Sequence, residues 1–216
     1  MKKFAVILAG CGVFDGAEIH EATLSMYAIM KNGAEYKIFA PDIKQHHVIN
    51  HITGEEMNED RNVLIESARI ARGQISPMSA FKPEDFDAIL FPGGFGAAKN
   101  LSDFAFKGAD AHINVQVKKS IQDMHLLHKP IGALCISPAL IALSLKEVEM
   151  TIGSDKGTAE ALNNLGAQHI ETGHGDVIQD KTNNVFTTPC YMLDANILDI
   201  AQGAENIVKA MLKSME

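Results

Sequence analysis

Apolar residues in this chain fall into short blocks separated by longer stretches with helical spacing. Phe4 to Leu8, Tyr36 to Ala40, Phe86 to Phe91 and Ile131 to Leu134 are nearly unbroken apolar runs, a pattern that suits strands buried on both faces. Helices are predicted over Ala17 to Lys31, closed by Asn32-Gly33, and over Asn62 to Ala71, stopped at Gly73. A third covers Ile113 to Leu127, with Ile113, Val117, Ile121 and Met124 on one face, and a fourth covers Thr158 to Leu165 before Gly166. Asp194 to Leu212 closes the chain as an amphipathic helix with Asp194 as its N-cap. Glu149 to Ile152 reads as one more strand, and Val177 to Gln179 and Val185 to Thr187 flank Asn183-Asn184 as a hairpin. Strands alternating with helices predict an α/β domain with a largely parallel central sheet. With no repeat, linker or low-complexity tract, residues 1–216 are expected to form a single domain.

Ligands of such sheets bind beyond the carboxyl ends of the strands. The loops leaving three of the predicted strands carry Cys11 to Gly16, Pro92 to Gly96 and Cys135. All three are expected along one edge.

Composition narrows the classes of function. A chain of 216 residues, 46% hydrophobic, can bury a sizeable core without staples. Its three cysteines are odd in number and far apart, which suggests no disulfide framework and a reducing, cytoplasmic setting. A net charge of -8 without a basic run argues against nucleic acid as a partner. Lys2-Lys3 and Leu8-Ala9-Gly10-Cys11 imitate a lipoprotein leader, but the apolar stretch before Cys11 is short for a signal core and reads better as a first strand. No segment approaches the length of a membrane span, so no membrane association is expected.

The candidate chemistry centres on Pro130-Ile-Gly-Ala-Leu-Cys-Ile-Ser-Pro138. Cys135 ends an apolar strand and precedes a helix that starts at Pro138, a corner that holds a side chain in the open beside unpaired N–H groups. A helix N-terminus there also favours thiolate. The competing reading is a small buried hydrophobe, which many free cysteines are. Pro92-Gly-Gly-Phe-Gly96 can supply an oxyanion hole, with the N–H of Gly94 opposite that of Ile136, or can be an ordinary glycine turn. Gly10-Cys-Gly-Val-Phe-Asp-Gly16 departs by one residue from a dinucleotide fingerprint and lacks its acidic partner, so its glycines are expected to let the chain pass close to a small ligand. Glu18 and Glu21 lie one turn apart in the first helix, where carboxylates also complement the dipole. A wheel centred on Ile19, Met26 and Met30 leaves Glu21 off the buried face. His47 and His51 are spaced i, i+4 without a helical pattern around them, so they are read as surface residues and not as metal ligands. His20 and His174 lie near glycine-rich loops, and Cys190 lies near a strand end.

Taken together, Gly10-Cys-Gly-Val-Phe-Asp-Gly-Ala-Glu-Ile-His-Glu21, Val48-Ile-Asn-His-Ile-Thr-Gly-Glu55, Arg61-Asn-Val-Leu-Ile-Glu66, Pro92-Gly-Gly-Phe-Gly-Ala-Ala-Lys-Asn-Leu101, Cys135-Ile-Ser-Pro138 and Thr187-Thr-Pro-Cys-Tyr-Met-Leu193 closely resemble the ElbB family. These are isoprenoid biosynthesis proteins with an amidotransferase-like domain, grouped with the ThiJ/PfpI proteins. The resemblance covers nearly the whole chain. It implies a flavodoxin-like three-layer sandwich, Cys135 as the elbow nucleophile, Glu21 as the acid touching it, no cofactor and no metal, and the homodimer that is the habit of the superfamily. It also implies a glyoxalase activity that converts glyoxal, a small dicarbonyl, to glycolate through a Cys135 hemithioacetal whose oxyanion rests on Gly94 and Ile136.

The departures from relatives point away from glutamine hydrolysis. Ala133 and Ser137 stand where amidotransferases carry glycines around the cysteine, and no counterpart of their late His-x-Glu pair is expected after Cys135. Many ThiJ/PfpI proteins place a histidine about twenty residues after the cysteine as base to the thiol, but this chain reads Gly153-Ser-Asp-Lys156 there. A noncatalytic, redox-sensing or regulatory protein, and a cysteine hydrolase or amidase, are the alternatives.

Overall fold

The computed structural model describes residues 1–216. In chain order the main elements are β1 (Lys3–Ile7), α1 (Ile19–Lys31), β2 (Glu35–Ala40), α2 (Val63–Ile70), β3 (Ile75–Pro77), β4 (Ala88–Phe91), α3 (Phe95–Lys99), α4 (Phe104–Lys107), α5 (Val115–Leu126), β5 (Ile131–Leu134), α6 (Pro138–Ala142), β6 (Glu149–Met150), α7 (Lys156–Asn164), β7 (Gln168–His169), β8 (Ile178–Asp180), β9 (Val185–Thr188) and α8 (Ile197–Lys213). Seven strands form one sheet in the order β3-β2-β1-β4-β5-β9-β8. All pairings are parallel except β8 with β9.

The blocks that read as unbroken apolar runs occupy the sheet centre. Phe4 to Ile7, Ala88 to Phe91, Ile131 to Leu134 and Val185 to Thr188 are buried throughout, as a sheet covered on both faces requires. Helices α1 and α8 pack on each other, and α8 also packs on β5 and β9. α5 packs on β4 and β5. Right-handed crossovers in opposite directions from the sheet centre put α1 and α5 on opposite faces, which makes the flavodoxin-like three-layer sandwich.

Several elements differ from expectation. Helix α8 begins at Ile197, capped by Asn196 and not by Asp194: Asn196 accepts from Leu198 N–H and Asp199 N–H, and Asp199 returns the bond to Asn196 N–H, forming a capping box. Strand β3 was not expected; it is a three-residue edge strand holding Pro77, where a proline's missing N–H is tolerated. Glu149 and Met150 do form a strand, but it pairs with β7 in a separate two-stranded ladder. Phe86 precedes β4 and packs edge-on against Phe39. The glycine turn after β4 runs directly into α3 and α4.

The strand order reverses between β1 and β4, since successive strands go outward from β1 on one side and from β4 on the other. That switch point is where an open parallel sheet leaves a crevice.

A candidate active site at the Cys135 elbow

Cys135 follows β5 with φ 59°, a left-handed conformation that costs a non-glycine residue about 1 kcal/mol or more. Neighbouring bonds hold it there. Its N–H donates to Thr188 O at 3.0 Å, continuing the β5–β9 ladder. Ser137 donates its hydroxyl to Pro92 O at 2.7 Å, tying the corner to the loop after β4. So the serine that replaces an amidotransferase glycine fixes two of the site's loops together.

The Cys135 sulfur and the Glu21 carboxyl both lie against Gly93, where an added Cβ would come 3.0 Å from the sulfur and 2.6 Å from Glu21 Oε2. The backbone N–H groups of Gly94 and Ile136 favour the thiolate of Cys135, and Glu21 disfavours it. Gly94 adopts φ 94°, open to glycine, and a Cβ there would lie 2.3 Å from Glu18 N. Glu21 is fully buried. Its Oε2 accepts from Gly93 N–H at 2.8 Å and its Oε1 from Tyr191 N–H at 3.3 Å. Glu18 caps α1, accepting from the Glu21 N–H at 2.7 Å.

The placement of Glu21 corrects the helical wheel. Ile19 and Met30, set at the wheel's centre, are 44% and 58% exposed, whereas Glu21, Ala22, Ser25, Met26 and Ile29 are buried. Two backbone donors and the thiol compensate an acid on the inner face, so apolar periodicity does not locate that face.

Burial dominates the electrostatics of the pair. Desolvation, then the charge of Glu18, pushes Glu21 from 4.5 to about 8. Desolvation and the charge of Glu21 push the Cys135 thiol well above 9.0, against the N–H bonds from Gly94 and Ile136. The resting pair is therefore protonated near neutrality, and Glu21 is the group that gives up its proton first.

A cavity of about 400 Å³ opens over the sulfur, lined by Val13, Gly94, Phe95, Cys135, Ile136, Asp155, Thr158, Tyr191 and Met192. That volume suits a small molecule. A larger hollow of about 680 Å³ lies at the end of α2 beside β2 and β3 and presents no cysteine, histidine or carboxylate.

Other candidate residues resolve differently. His20 Nδ1 lies 2.8 Å from the Tyr191 hydroxyl and so reaches the cavity rim through that ring, while His174 is exposed and does not line it. His51 accepts from Phe14 N–H at 3.2 Å and packs on the Phe14 ring, fastening the polar excursion to the loop after β1. No cluster of three or more metal-ligating side chains occurs, and no helix is long and apolar enough to cross a membrane. Gly16 does not make room for a ligand: a Cβ there would lie 2.3 Å from Cys11 N, so it lets main chain pack on main chain. Cys190 is buried at φ 44°, and burial, then the charge of Glu21, raises its thiol well above 9.0. A His-x-Glu does follow the elbow, at His169-Ile170-Glu171, contrary to expectation. It lies at β7, where His169 Nε2 accepts from Ile152 N–H at 3.3 Å, and it does not line the cavity. Sequence reasoning missed Tyr191, Gly93 and Asp155; only the proximity of Tyr191 to a strand end gave a signal.

A parallel sheet that carries a strained cysteine at the carboxyl end of a central strand, beside a glycine-rich loop, is the architecture of class I glutamine amidotransferase-like proteins. Relatives agree with that class and narrow it. The chain is 45% identical over 221 residues to the rat (Rattus norvegicus) ES1 protein homolog, mitochondrial, covering 98% of this chain and 83% of that one. It is 43% identical to the human (Homo sapiens) glutamine amidotransferase-like class 1 domain-containing protein 3, mitochondrial, covering 98% and 82%. The crystal structure of an isoprenoid biosynthesis protein with amidotransferase-like domain from Ehrlichia chaffeensis superposes with a TM-score of 0.94 at 35% identity, over 100% of both chains. No protein-family model matches the chain. The chain belongs to the family of ES1 and isoprenoid biosynthesis proteins with an amidotransferase-like domain.

The relatives also overturn the cytoplasmic placement, since the rat and human proteins are named mitochondrial. Unpaired cysteines argue for a reducing environment, and that property does not single out one compartment.

Proposed function

We propose that the protein is a cofactor-independent glyoxalase that converts glyoxal to glycolate, with Cys135 as nucleophile and Glu21 as proton carrier. The packing of the Cys135 sulfur and the fully buried Glu21 carboxyl against the same residue, Gly93, carries this reading. Glu21 as carboxylate takes the thiol proton, and the sulfur adds to one aldehyde carbon. The resulting hemithioacetal oxygen accepts hydrogen bonds from Gly94 and Ile136 N–H. Glu21 returns the thiol proton to the hemithioacetal oxygen and, again a carboxylate, removes the hydrogen of that carbon as a proton and delivers it to the second carbon. The hemithioacetal hydroxyl gives up its proton as it becomes the thioester carbonyl, and the second carbon's oxygen takes a proton to become a hydroxyl. The product is a thioester of glycolate, and water releases glycolate and the thiol. One water is consumed, and no external oxidant or reductant is required.

The test is metal-free purified protein with glyoxal, followed by proton NMR. Glycolate is expected, with solvent deuterium entering its methylene group in heavy water. Absence of glycolate would falsify the assignment and favour a noncatalytic role.

The acid–base role also predicts a pH profile. Only the Glu21 carboxylate can take the thiol proton, so kcat/KM should rise about tenfold per unit below pH about 8 and level off above it. Glu21→Gln should remove this limb. A profile unchanged in that variant would assign the titration to another group.

A further inference from the structure

The wall of the cavity over Cys135 carries one side chain with a fixed charge. Val13, Phe95, Ile136, Tyr191 and Met192 offer apolar and aromatic surface, Thr158 offers a hydroxyl, and no Lys, Arg or His takes part. The exception is Asp155, the N-cap of α7. Its Oδ1 accepts from Thr158 N–H at 2.8 Å. The Thr158 hydroxyl and N–H together hold the Asp155 carboxyl below the ordinary carboxylate range, so it is an anion wherever Cys135 reacts. The first turn of a helix otherwise attracts anions through its unpaired N–H groups and dipole. Here the chain's own carboxylate takes that place, so the rim repels a substrate carboxylate.

We infer that Asp155 determines specificity at this site, admitting small uncharged electrophiles to Cys135 and turning away carboxylate-bearing ones. The inference rests on Cys135 as the reacting group of the proposed glyoxalase, and it narrows the substrate class to uncharged carbonyl compounds. A site with an anionic rim and no cation is also poorly matched to the carboxylate of an amino acid such as glutamine.

The test compares alkylation of Cys135 by iodoacetamide and by iodoacetate, reagents of similar size that differ in charge. The same thiolate attacks both, displacing iodide, so the ratio of their rates cancels any change in thiolate fraction. Mass spectrometry of the Cys135 peptide separates this thiol from Cys11 and Cys190. Asp155 is exposed to solvent, so the iodoacetamide-to-iodoacetate ratio is expected to exceed that of 2-mercaptoethanol by up to about fivefold, the effect of one charge about 4 Å from the approaching carboxylate in water, and to shrink as salt is added. Asp155→Asn and Asp155→Ser each keep an N-cap acceptor, and both should lower the ratio by the same factor, leaving only the share that the Glu21 carboxylate, unchanged in all three proteins, contributes. A wild-type ratio equal to that of 2-mercaptoethanol, or one that survives both substitutions, overturns the inference. The measurement needs no turnover: a protein that fails to convert glyoxal still yields a ratio, and a flat ratio leaves any glyoxal conversion standing.

Discussion

Cys135→Ser is expected to lower the turnover of glyoxal by at least about 10³-fold, because the covalent route is lost and a hydroxyl in the same place is a far weaker nucleophile. The substitution keeps the shape of the side chain and one hydrogen-bonding atom for the N–H groups of Gly94 and Ile136. A residue at φ 59° must tolerate the left-handed conformation, and serine does so about as well as cysteine. Thermal unfolding should therefore move by no more than a few degrees. Steady-state kinetics on glyoxal and a melting curve on the same sample separate the two effects. A fall in activity accompanied by an equal loss of folded protein would point to a structural role for the thiol, and retained turnover in a stable variant would remove Cys135 from the mechanism.

How much of this was legible in the sequence depends on what held each feature in place. The elbow could be read because its causes are local: an apolar run short enough for a strand, then Cys135, then Pro138 starting a helix. The central strands were legible for the same reason, since Phe4 to Ile7 and Ile131 to Leu134 are apolar on both faces. Glu21 was not legible from periodicity. Its partners, Gly93 N–H and Tyr191 N–H, are 72 and 170 residues away in the chain, and only the family resemblance chose it over Glu18. Strand β3 escaped because three residues ending in proline carry almost no alternation. The N-cap of α8 was misplaced by two residues because Asp194 and Asn196 are both competent acceptors, and Asp199 decides between them by completing the capping box. Asp155 was in plain view within Gly153-Ser-Asp-Lys156, yet its relevance depends on α7 carrying it to the cavity wall.

Gly93→Ala is expected to disable the site more thoroughly than its size suggests. Gly93 is not held at positive φ, so the backbone itself would accept alanine. The obstacle is contact: the added Cβ would lie 2.4 Å from Cys135 Cβ, 2.6 Å from Glu21 Oε2 and 3.0 Å from the Cys135 sulfur. Neither neighbour is a flexible tip. Cys135 is fixed by its bond to Thr188 O, and Glu21 by the N–H groups of Gly93 and Tyr191. Relief must come from moving the loop that holds Gly94, from turning the elbow, or from withdrawing Glu21, and each breaks the contact between acid and thiol. Overpacking of this kind typically costs about 1–3 kcal/mol, which a urea titration would read as a lower midpoint with an unchanged slope. Displacement of the reacting groups by about 1 Å adds a loss on the order of 10²-fold in kcat. The Cys135 thiol should also alkylate at a changed rate, since its hydrogen-bond partners no longer meet it. If the variant unfolds like the wild type and turns over glyoxal at an undiminished rate, the close packing of Gly93 against both groups is not what positions them, and the account of the site given by these distances fails.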